Sequence, residues 1–242
     1  SYTLALGCSD MGTGCDTILS QMAADILETD LDNVIPFGVD TDISPYDSGS
    51  YASATTYITG KAVAKAAENL KEKVIKMGAS MLEVEPDEVT FNGKCVEKKD
   101  QSAKVTLPEI GVRGTFGNND ALQVTENCGA EISPPPYMVG IAEVEIDKET
   151  GSVELIDYVA VVDCGTPINP NLARVQTEGG IAQGIGMALF EDIQYTEKGA
   201  MANNSLMQYK IPSRLDVGKI RVEFKPSYEK SHPFGAKSIG EI

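Results

Sequence analysis

The sequence predicts a chain of mixed strands and helices organised as two lobes. Near the start of the chain, a strand, a glycine turn and an amphipathic helix follow one another within residues 3–27. The same succession returns within residues 153–189. Between the two, a stretch rich in Gly, Pro and Asn is typical of a long connection, carried on the surface or across a cleft. We therefore predict a first lobe at 1–110, a connecting segment at 111–136 and a second lobe at 137–242.

The first lobe is predicted to contain a strand and a helix, then a second strand and a second helix, followed by a hairpin. Apolar residues at helical spacing define its helices. Asn92-Gly93 lies between two short apolar runs and is typical of a hairpin with a type I′ turn. The predicted elements are strands at 3–6 and 34–39, helices at 18–27 and 53–77, a hairpin at 89–96, and a strand that runs into a short helix at 105–110.

The second lobe is predicted to contain four strands and a helix unusually rich in glycine. That helix includes Gly179, Gly180, Gly184 and Gly186. Each glycine costs roughly 1 kcal/mol relative to Ala, so we expect this helix backbone to pack closely on another surface. The predicted elements are strands at 138–146, 153–162, 191–195 and 220–224, with the helix at 171–189.

Composition excludes several classes of protein. The chain has 20 Lys+Arg against 36 Asp+Glu, a formal net charge of −16, which argues against nucleic-acid binding and against an anionic membrane surface. Its five cysteines form no C-x-x-C pair, so a disulfide framework, a zinc site and a protein-ligated iron–sulfur cluster are not expected. We expect a reducing, cytoplasmic setting. We find no secretory signal in the sequence. No apolar run reaches the ~18 residues of a transmembrane helix, so a membrane span is not expected.

Two loops are candidates for binding an anion. In the run Gly7–Thr17, Gly12 and Gly14 would let backbone N–H groups at a helix start approach a ligand. The alternative is an ordinary tight turn. The small hydroxyl residues of Ser50–Thr56 precede the long helix, where they form either an N-cap cluster or a second anion cradle.

Few residues are candidates for catalysis. His232, the single histidine, has no nucleophile motif beside it, so we expect it to be structural or merely exposed. Asp10, Asp16 and Asp163 border the glycine turns, and we expect them to cap or satisfy those loops. Glu241 follows a run of small residues that could enter a cleft, where a carboxylate can act as a general base. The alternative is a solvated carboxylate. Gln183 is either an ordinary polar helix residue or an amide that contacts a ligand.

Six segments, taken together and in order, resemble the C-terminal half of the molybdenum-cofactor subunit of the xanthine dehydrogenase/aldehyde oxidase family. Each motif alone has little specificity, but the six in this order over nearly the whole chain are specific. They are Asp10-Met-Gly-Thr-Gly14, Gly49-Ser-Tyr-Ala-Ser-Ala-Thr-Thr-Tyr-Ile-Thr-Gly60, Ala142-Glu-Val-Glu-Ile-Asp-Lys-Glu-Thr-Gly151, Asp163-Cys-Gly-Thr-Pro-Ile-Asn-Pro170, Glu178-Gly-Gly-Ile-Ala-Gln-Gly-Ile-Gly186 and Lys237-Ser-Ile-Gly-Glu241.

This resemblance implies an α+β fold with two lobes of mixed sheet packed with helices, holding a molybdenum pterin cofactor. The cofactor would be molybdopterin or its cytosine dinucleotide form, with no metal ligand from the protein. The implied reaction is hydroxylation of a heterocycle or aldehyde carbon, with water as the oxygen source. The cofactor performs the redox step while the protein orients the reactants and supplies a base.

The resemblance also assigns roles to residues. Glu241 would be the catalytic base, and Gln183 would lie beside the oxo ligands of the metal. The other residues implied to bind the cofactor form two loops, Met11, Gly12, Thr13 and Gly14, and Ala52, Ser53, Ala54, Thr55 and Thr56. Two positions depart from the family pattern: Thr13 replaces the usual glutamine, and Ala54 lacks an arginine that some relatives carry.

The implied partners are the remainder of the molybdopterin subunit, iron–sulfur (2Fe-2S) and flavin (FAD) domains or subunits, and a small-molecule substrate, in a dimeric enzyme. Because further cofactor loops are expected upstream of Ser1, we expect the lone chain to be unable to turn over substrate. Two alternatives remain: a non-enzymatic anion- or nucleotide-binding module, and a structural subunit without catalytic activity.

Overall fold

A computed structural model describes residues 1–117, 121–129 and 131–242. The chain separates into two compact units. Unit 1 comprises Ser1–Ser133 and Ser231–Phe234, and unit 2 comprises Pro134–Lys230 and Gly235–Ile242. The predicted lobe limits stay a prediction, and residues 118–120 and 130 of the predicted connecting segment lie outside the described residues.

Unit 1 begins with two parallel strands joined by a helix. Strand β1 (Tyr2–Ala5) pairs with β2 (Val34–Phe37), and helix α1 (Cys15–Ile26) lies between them in sequence. Helix α1 packs on β2 and on the long helix α2 (Gly60–Met81). Its buried face includes Leu19, Met22 and Ala23, at the spacing the apolar pattern predicts.

Close packing at the start of α2 explains Gly60. A Cβ at this position would lie 2.9 Å from the Met22 sulfur and 3.2 Å from His232 Nε2. Helix α2 continues directly from a π-helical turn, Thr55–Thr59. The predicted helix is therefore confirmed, but its first residues are wound more widely than an α-helix.

A second sheet of unit 1 is antiparallel and packs on α2. Its strands are β3 (Val89–Phe91), β4 (Cys95–Lys98) and β5 (Lys104–Thr106), and β5 runs into helix α3 (Leu107–Phe116). Thr106 and Glu109 form a capping box at the start of α3, which fixes where the strand ends and the helix begins. The core between these elements contains Val74, Ala79, Val89, Val96 and Ile110.

The predicted hairpin at 89–96 is confirmed, but the predicted type I′ turn is wrong. A type I′ turn needs a positive φ at both central residues, and only Gly93 has one. The Asn92 side chain instead accepts the N–H groups of Lys94 and Cys95 at 3.1 and 3.0 Å. This Asx arrangement goes with a wider loop than a two-residue turn: Phe91 pairs with Val96 across four intervening residues.

Unit 2 is a three-stranded sheet with one long helix. Strand β6 (Tyr137–Ile146) runs antiparallel to β7 (Val153–Asp163), which runs parallel to β8 (Lys219–Phe224). Helix α4 (Pro170–Leu189) packs on β8. Its N-cap is Asn169, whose side chain accepts two helix N–H groups. The core contains Leu155, Ala160, Val162, Cys164, Ile181, Ile185 and Val217.

The strand predicted at 191–195 is wrong. In this stretch the backbone N–H of Gln194 donates to the Asn203 side chain, and the carbonyl of Gln194 accepts from Ala202. Only Tyr195 makes an isolated bridge, to Met201. A side chain thus satisfies backbone groups that a neighbouring strand would otherwise pair.

The predicted α+β class is confirmed: each unit combines sheet and helix, and parallel and antiparallel pairs both occur. Among the described residues, no helix is both long enough and apolar enough to span a lipid bilayer.

Candidate functional site

The first candidate loop, Met11 to Gly14, is organised around the carboxylate of Asp10. One Asp10 oxygen accepts the N–H groups of Gly12 and Gly14 at 2.9 and 3.2 Å, and the other accepts that of Asp16 at 3.3 Å. Burial raises the pKa of Asp10, but these N–H donors outweigh it, and the pKa lies below its usual value. The prediction that Asp10 caps or satisfies its loop is confirmed in the second form, since Gly14 is the N-cap of α1 and no side chain caps it. These three N–H groups are therefore already engaged, and this loop offers a ligand mainly the exposed side chains of Met11 and Thr13.

Two cysteines flank this loop on its buried side. Cys8 and Cys15 are each 2% exposed. Hydrogen bonding with Cys8 and burial raise the pKa of the Cys15 thiol, so it stays protonated. Asp10, Cys15 and Asp16 each place one potential metal-ligand atom within 4.8 Å of the others. Because the Asp10 carboxylate is held by backbone N–H groups, we assign this cluster to the internal bonding of the loop.

The second candidate loop, Ala52 to Thr56, has a strained backbone. Ala52 and Ser53 have φ values of 51° and 54°, a region that residues other than glycine rarely adopt. The π-helical turn follows immediately, and no side chain caps its start. Strained residues and π-helical turns are both concentrated at functional sites. The small side chains at 52–56 also leave the backbone accessible, so this loop fits a phosphate-bearing group.

His232 supports the second loop from behind. Its side chain is 1% exposed, Nε2 lies 3.2 Å from the carbonyl oxygen of Thr56, and Nδ1 accepts the N–H of Phe234 at 3.2 Å. This arrangement fits a neutral ring with its proton on Nε2. The neighbouring Ser231 hydroxyl lies 2.6 Å from that of Tyr57 in the π-helical turn. The structure therefore places His232 in the structural role expected from the sequence.

Gln183 lies on an exposed face of α4. Gly179, Gly180 and Gly184 share this exposure, and a Cβ at each would meet nothing within 4 Å. Only Gly186 is packed, against Glu191 and Pro212. The close packing expected for this glycine-rich helix is thus found at one glycine of the four within the described chain. The other three leave an accessible backbone beside Gln183.

Glu241 is exposed near the end of a tail that is itself anchored in unit 2. Ile239 and Ile242, on either side of it, pack against the unit 2 core. Further back, Gly165 pairs with Ala236, and the carbonyl of Gly235 accepts the N–H of Thr166 at 2.7 Å. Glu241 is therefore an exposed residue whose backbone is held on both sides.

The structure groups the predicted site residues by unit. Met11–Gly14 and Ala52–Thr56 belong to unit 1, where the π-helical turn packs on α1. Gln183 and Glu241 belong to unit 2, each next to a residue packed on the same core, Ala182 and Ile242 respectively. Sequence reasoning did not single out the strained φ values of Ala52 and Ser53, because neither residue is a glycine.

Comparison with known proteins identifies the family. The model of the molybdopterin cofactor-binding domain matches residues 1–218. The chain is 36% identical, over its whole length, to a probable hypoxanthine oxidase of Escherichia coli K12, of which it covers 25%. It is 28% identical over its whole length to the carbon monoxide dehydrogenase large chain of Afipia carboxidovorans, of which it covers 30%.

A solved structure agrees with these relatives. The quinoline 2-oxidoreductase of Pseudomonas putida 86 superimposes with a TM-score of 0.80 at 31% identity, over 97% of this chain and 31% of that one. The chain thus spans about a quarter to a third of the length of the proteins it matches. It belongs to the molybdopterin cofactor-binding domain family of the xanthine dehydrogenase-type molybdenum hydroxylases.

Proposed function

We propose that this chain binds a molybdenum pterin cofactor and supplies the general base of a hydroxylase in its complete protein. The observation that carries the proposal is the strained backbone of Ala52–Ser53, just before the π-helical turn that leads into a long helix. Strain of this kind costs about 1–3 kcal/mol per residue and persists where a function requires it. Family membership supports a molybdenum pterin as the ligand of that loop.

The residues that would hold the cofactor differ in what they offer. The backbone at Ala52–Thr56 would suit a phosphate, because the helix dipole adds positive potential there; the Ala54 N–H already donates to the Tyr51 carbonyl. Met11 and Thr13 would contact the pterin through their exposed side chains, alongside the backbone of Gly12 and Gly14, whose N–H groups stay bonded to Asp10. Gln183 would donate and accept hydrogen bonds through its amide, beside the accessible glycines of α4.

When bound, the molybdenum pterin supplies the two-electron redox chemistry of the reaction. Glu241 then takes the proton of the water-derived oxygen nucleophile as it attacks the substrate carbon. The packing of Ile239 and Ile242 keeps this carboxylate in a defined place. A positioned general base typically contributes a factor of about 100 to 10,000 in rate.

The proposed substrate is a nitrogen heterocycle. The 36% identical relative is named for hypoxanthine and the matched structure for quinoline, whereas the relative named for carbon monoxide is 28% identical. We further propose iron–sulfur and flavin domains or subunits as the electron acceptors, assembly as a dimer, and no turnover by this chain alone.

The test replaces Glu241 by Gln in the complete protein, produced with its partners. Turnover should fall by about 100-fold or more, because Gln cannot accept the proton, while molybdenum and pterin content stay unchanged. Glu197→Gln, at an exposed turn, is the matched control and should keep full turnover.

Two results would contradict the proposal. Full turnover by the Glu241→Gln protein would remove this residue from the mechanism. An active wild-type preparation that contains no molybdenum by metal analysis would remove the cofactor itself. Tight binding of a free nucleotide by the metal-free chain, measured by calorimetry, would instead favour a nucleotide-binding module.

A further inference from the structure

Lys237 is a buried lysine in the tail that carries Glu241. The residue is 9% exposed, four positions before the proposed base. Lysine is rarely buried unless its charge is paired. It is also the one long side chain within Gly235–Gly240, a run otherwise made of small residues and Ile239.

The charge of Lys237 is paired with Asp163, the last residue of β7. Lys237 Nζ lies 2.9 Å from one Asp163 oxygen, and the exposed side-chain fractions of the pair are 10% and 23%. The same carboxylate accepts the Ser227 hydroxyl at 2.8 Å and the N–H of Gly165 at 2.9 Å. The Tyr137 ring also faces the ammonium group, with its centroid 5.5 Å from Nζ.

Backbone contacts join the same two segments. The N–H of Lys237 donates to the carbonyl of Cys164 at 2.8 Å, and the N–H of Thr166 donates to that of Gly235 at 2.7 Å. These segments approach so closely that a Cβ on Gly165 would lie 2.4 Å from the Gly235 carbonyl oxygen. The ion pair thus lies where residues 164–166, after β7, pair with residues 235–237 of the tail.

We propose that the Asp163–Lys237 ion pair positions Glu241, by tying the tail to the end of β7, and that Lys237 is a positioning residue for the reaction. The inference rests on the proposed function, in which Glu241 is the base. Between the junction at 235–237 and the packed side chains of Ile239 and Ile242, the backbone has little freedom to move the carboxylate. A displacement of about 1 Å in a reacting group can cost about 100-fold in rate.

The Asp163 carboxylate is ionised near neutral pH. Burial alone would raise the pKa of Asp163, but the bonds from Lys237, Gly165 and Ser227 outweigh it and hold the pKa at about 2. Protonation of Asp163 therefore does not loosen this contact near neutral pH.

The test replaces Lys237 by Met in the complete protein and follows two readouts. Hydrogen exchange measured by mass spectrometry should be at least about tenfold faster in the peptide covering 235–242. The kcat should fall by about 10- to 100-fold, with KM and molybdenum content nearly unchanged. Lys237→Arg, which keeps the charge, should recover most of both.

The matched control is a second ion pair on the same sheet. Arg221 on β8 binds Asp157 on β7, but Arg221 is 49% exposed and contacts no part of the tail through this pair. Arg221→Met should leave exchange at 235–242 and kcat unchanged.

Several outcomes overturn the proposal and are distinct from a failure of the proposed function. Normal exchange at 235–242 in Lys237→Met shows that the pair does not hold the tail. Faster exchange with a normal kcat, in an enzyme that Glu241→Gln inactivates, shows that the tie does not position the base. If Glu241→Gln retains turnover, it is the proposed function that fails. If the Lys237→Met protein does not accumulate, Ser227→Ala is the substitute, because it keeps the ion pair and removes one bond to Asp163. It should give about threefold changes in exchange and kcat in the same directions. Unchanged exchange and kcat in Ser227→Ala would count against the proposal.

Discussion

The two glycine turns of this protein both place an aspartate beside the turn, but the two aspartates bond to different parts of the chain. Asp10 accepts N–H groups from its own loop, within six residues. Asp163 also accepts one N–H from its own turn, that of Gly165, but its other partners are Lys237 and Ser227, which are 74 and 64 residues away in sequence. The first carboxylate shapes a loop, and the second joins two distant segments. A shared local pattern therefore does not imply a shared structural role.

Glycine replacement should separate the two turns most strongly. Gly12 has φ +98° with open space around it, whereas Gly165 has φ +71° and the Gly235 carbonyl in the path of a Cβ. We expect Gly12→Ala to cost about 1 kcal/mol, from backbone strain alone, and Gly165→Ala about 3 kcal/mol, because overpacking adds to the strain. Native-state hydrogen exchange, read separately in units 1 and 2, measures both. Equal losses of stability in the two variants would show that the tail moves to accommodate the added Cβ at residue 165.

Acid should weaken the second turn over a defined range. The pKa of Asp163 is about 2 in the folded protein, below its ordinary value of 3.8. Its contribution is therefore complete above about pH 4 and is lost as the pH falls through about 2; the shift corresponds to about 2 kcal/mol. The opening equilibrium at 235–242, obtained by dividing each exchange rate by the intrinsic rate at the same pH, should rise as the pH falls in the wild type and stay flat in Asp163→Asn. A rise of equal size in that variant would assign the acid sensitivity to other carboxylates.

Loss of the Asp10 carboxylate should have the smallest effect. Asp10→Ala removes acceptors from three N–H groups near a helix start, which typically costs about 1 kcal/mol. Because water reaches this loop, we expect faster exchange at residues 12–16 with no change at 235–242. Thr17→Ala, exposed on the first turn of α1, is the control. A large loss of stability would mean that Asp10 supports more than its own loop.

Most of the secondary structure follows from local patterns. Helical spacing of apolar residues located α1 and α2, and the capping box at Thr106 and Glu109 explains where α3 begins. The two errors, at Asn92 and at 191–195, have one cause. In both places an asparagine side chain bonds to backbone groups, and hydrophobic periodicity carries no signal of such bonds.

The candidate site was predicted in part. The glycine turns, Gln183 and Glu241 carry visible signals, namely glycine spacing and resemblance to a family. The positive φ of Ala52 and Ser53 carries none, because neither residue type favours it. Lys237 had one overlooked signal, a single long cation in a run of small residues.

The sequence by itself determined the order of elements, the acidic surface and the family of this protein. These properties depend on composition and on spacings of a few residues, which can be read along the chain. Only the tertiary structure decided that the carboxylate of Asp10 fills its own loop, and that Lys237 meets Asp163 across 74 residues. Such contacts depend on how the sheet and the tail approach one another, and short-range patterns do not encode that approach.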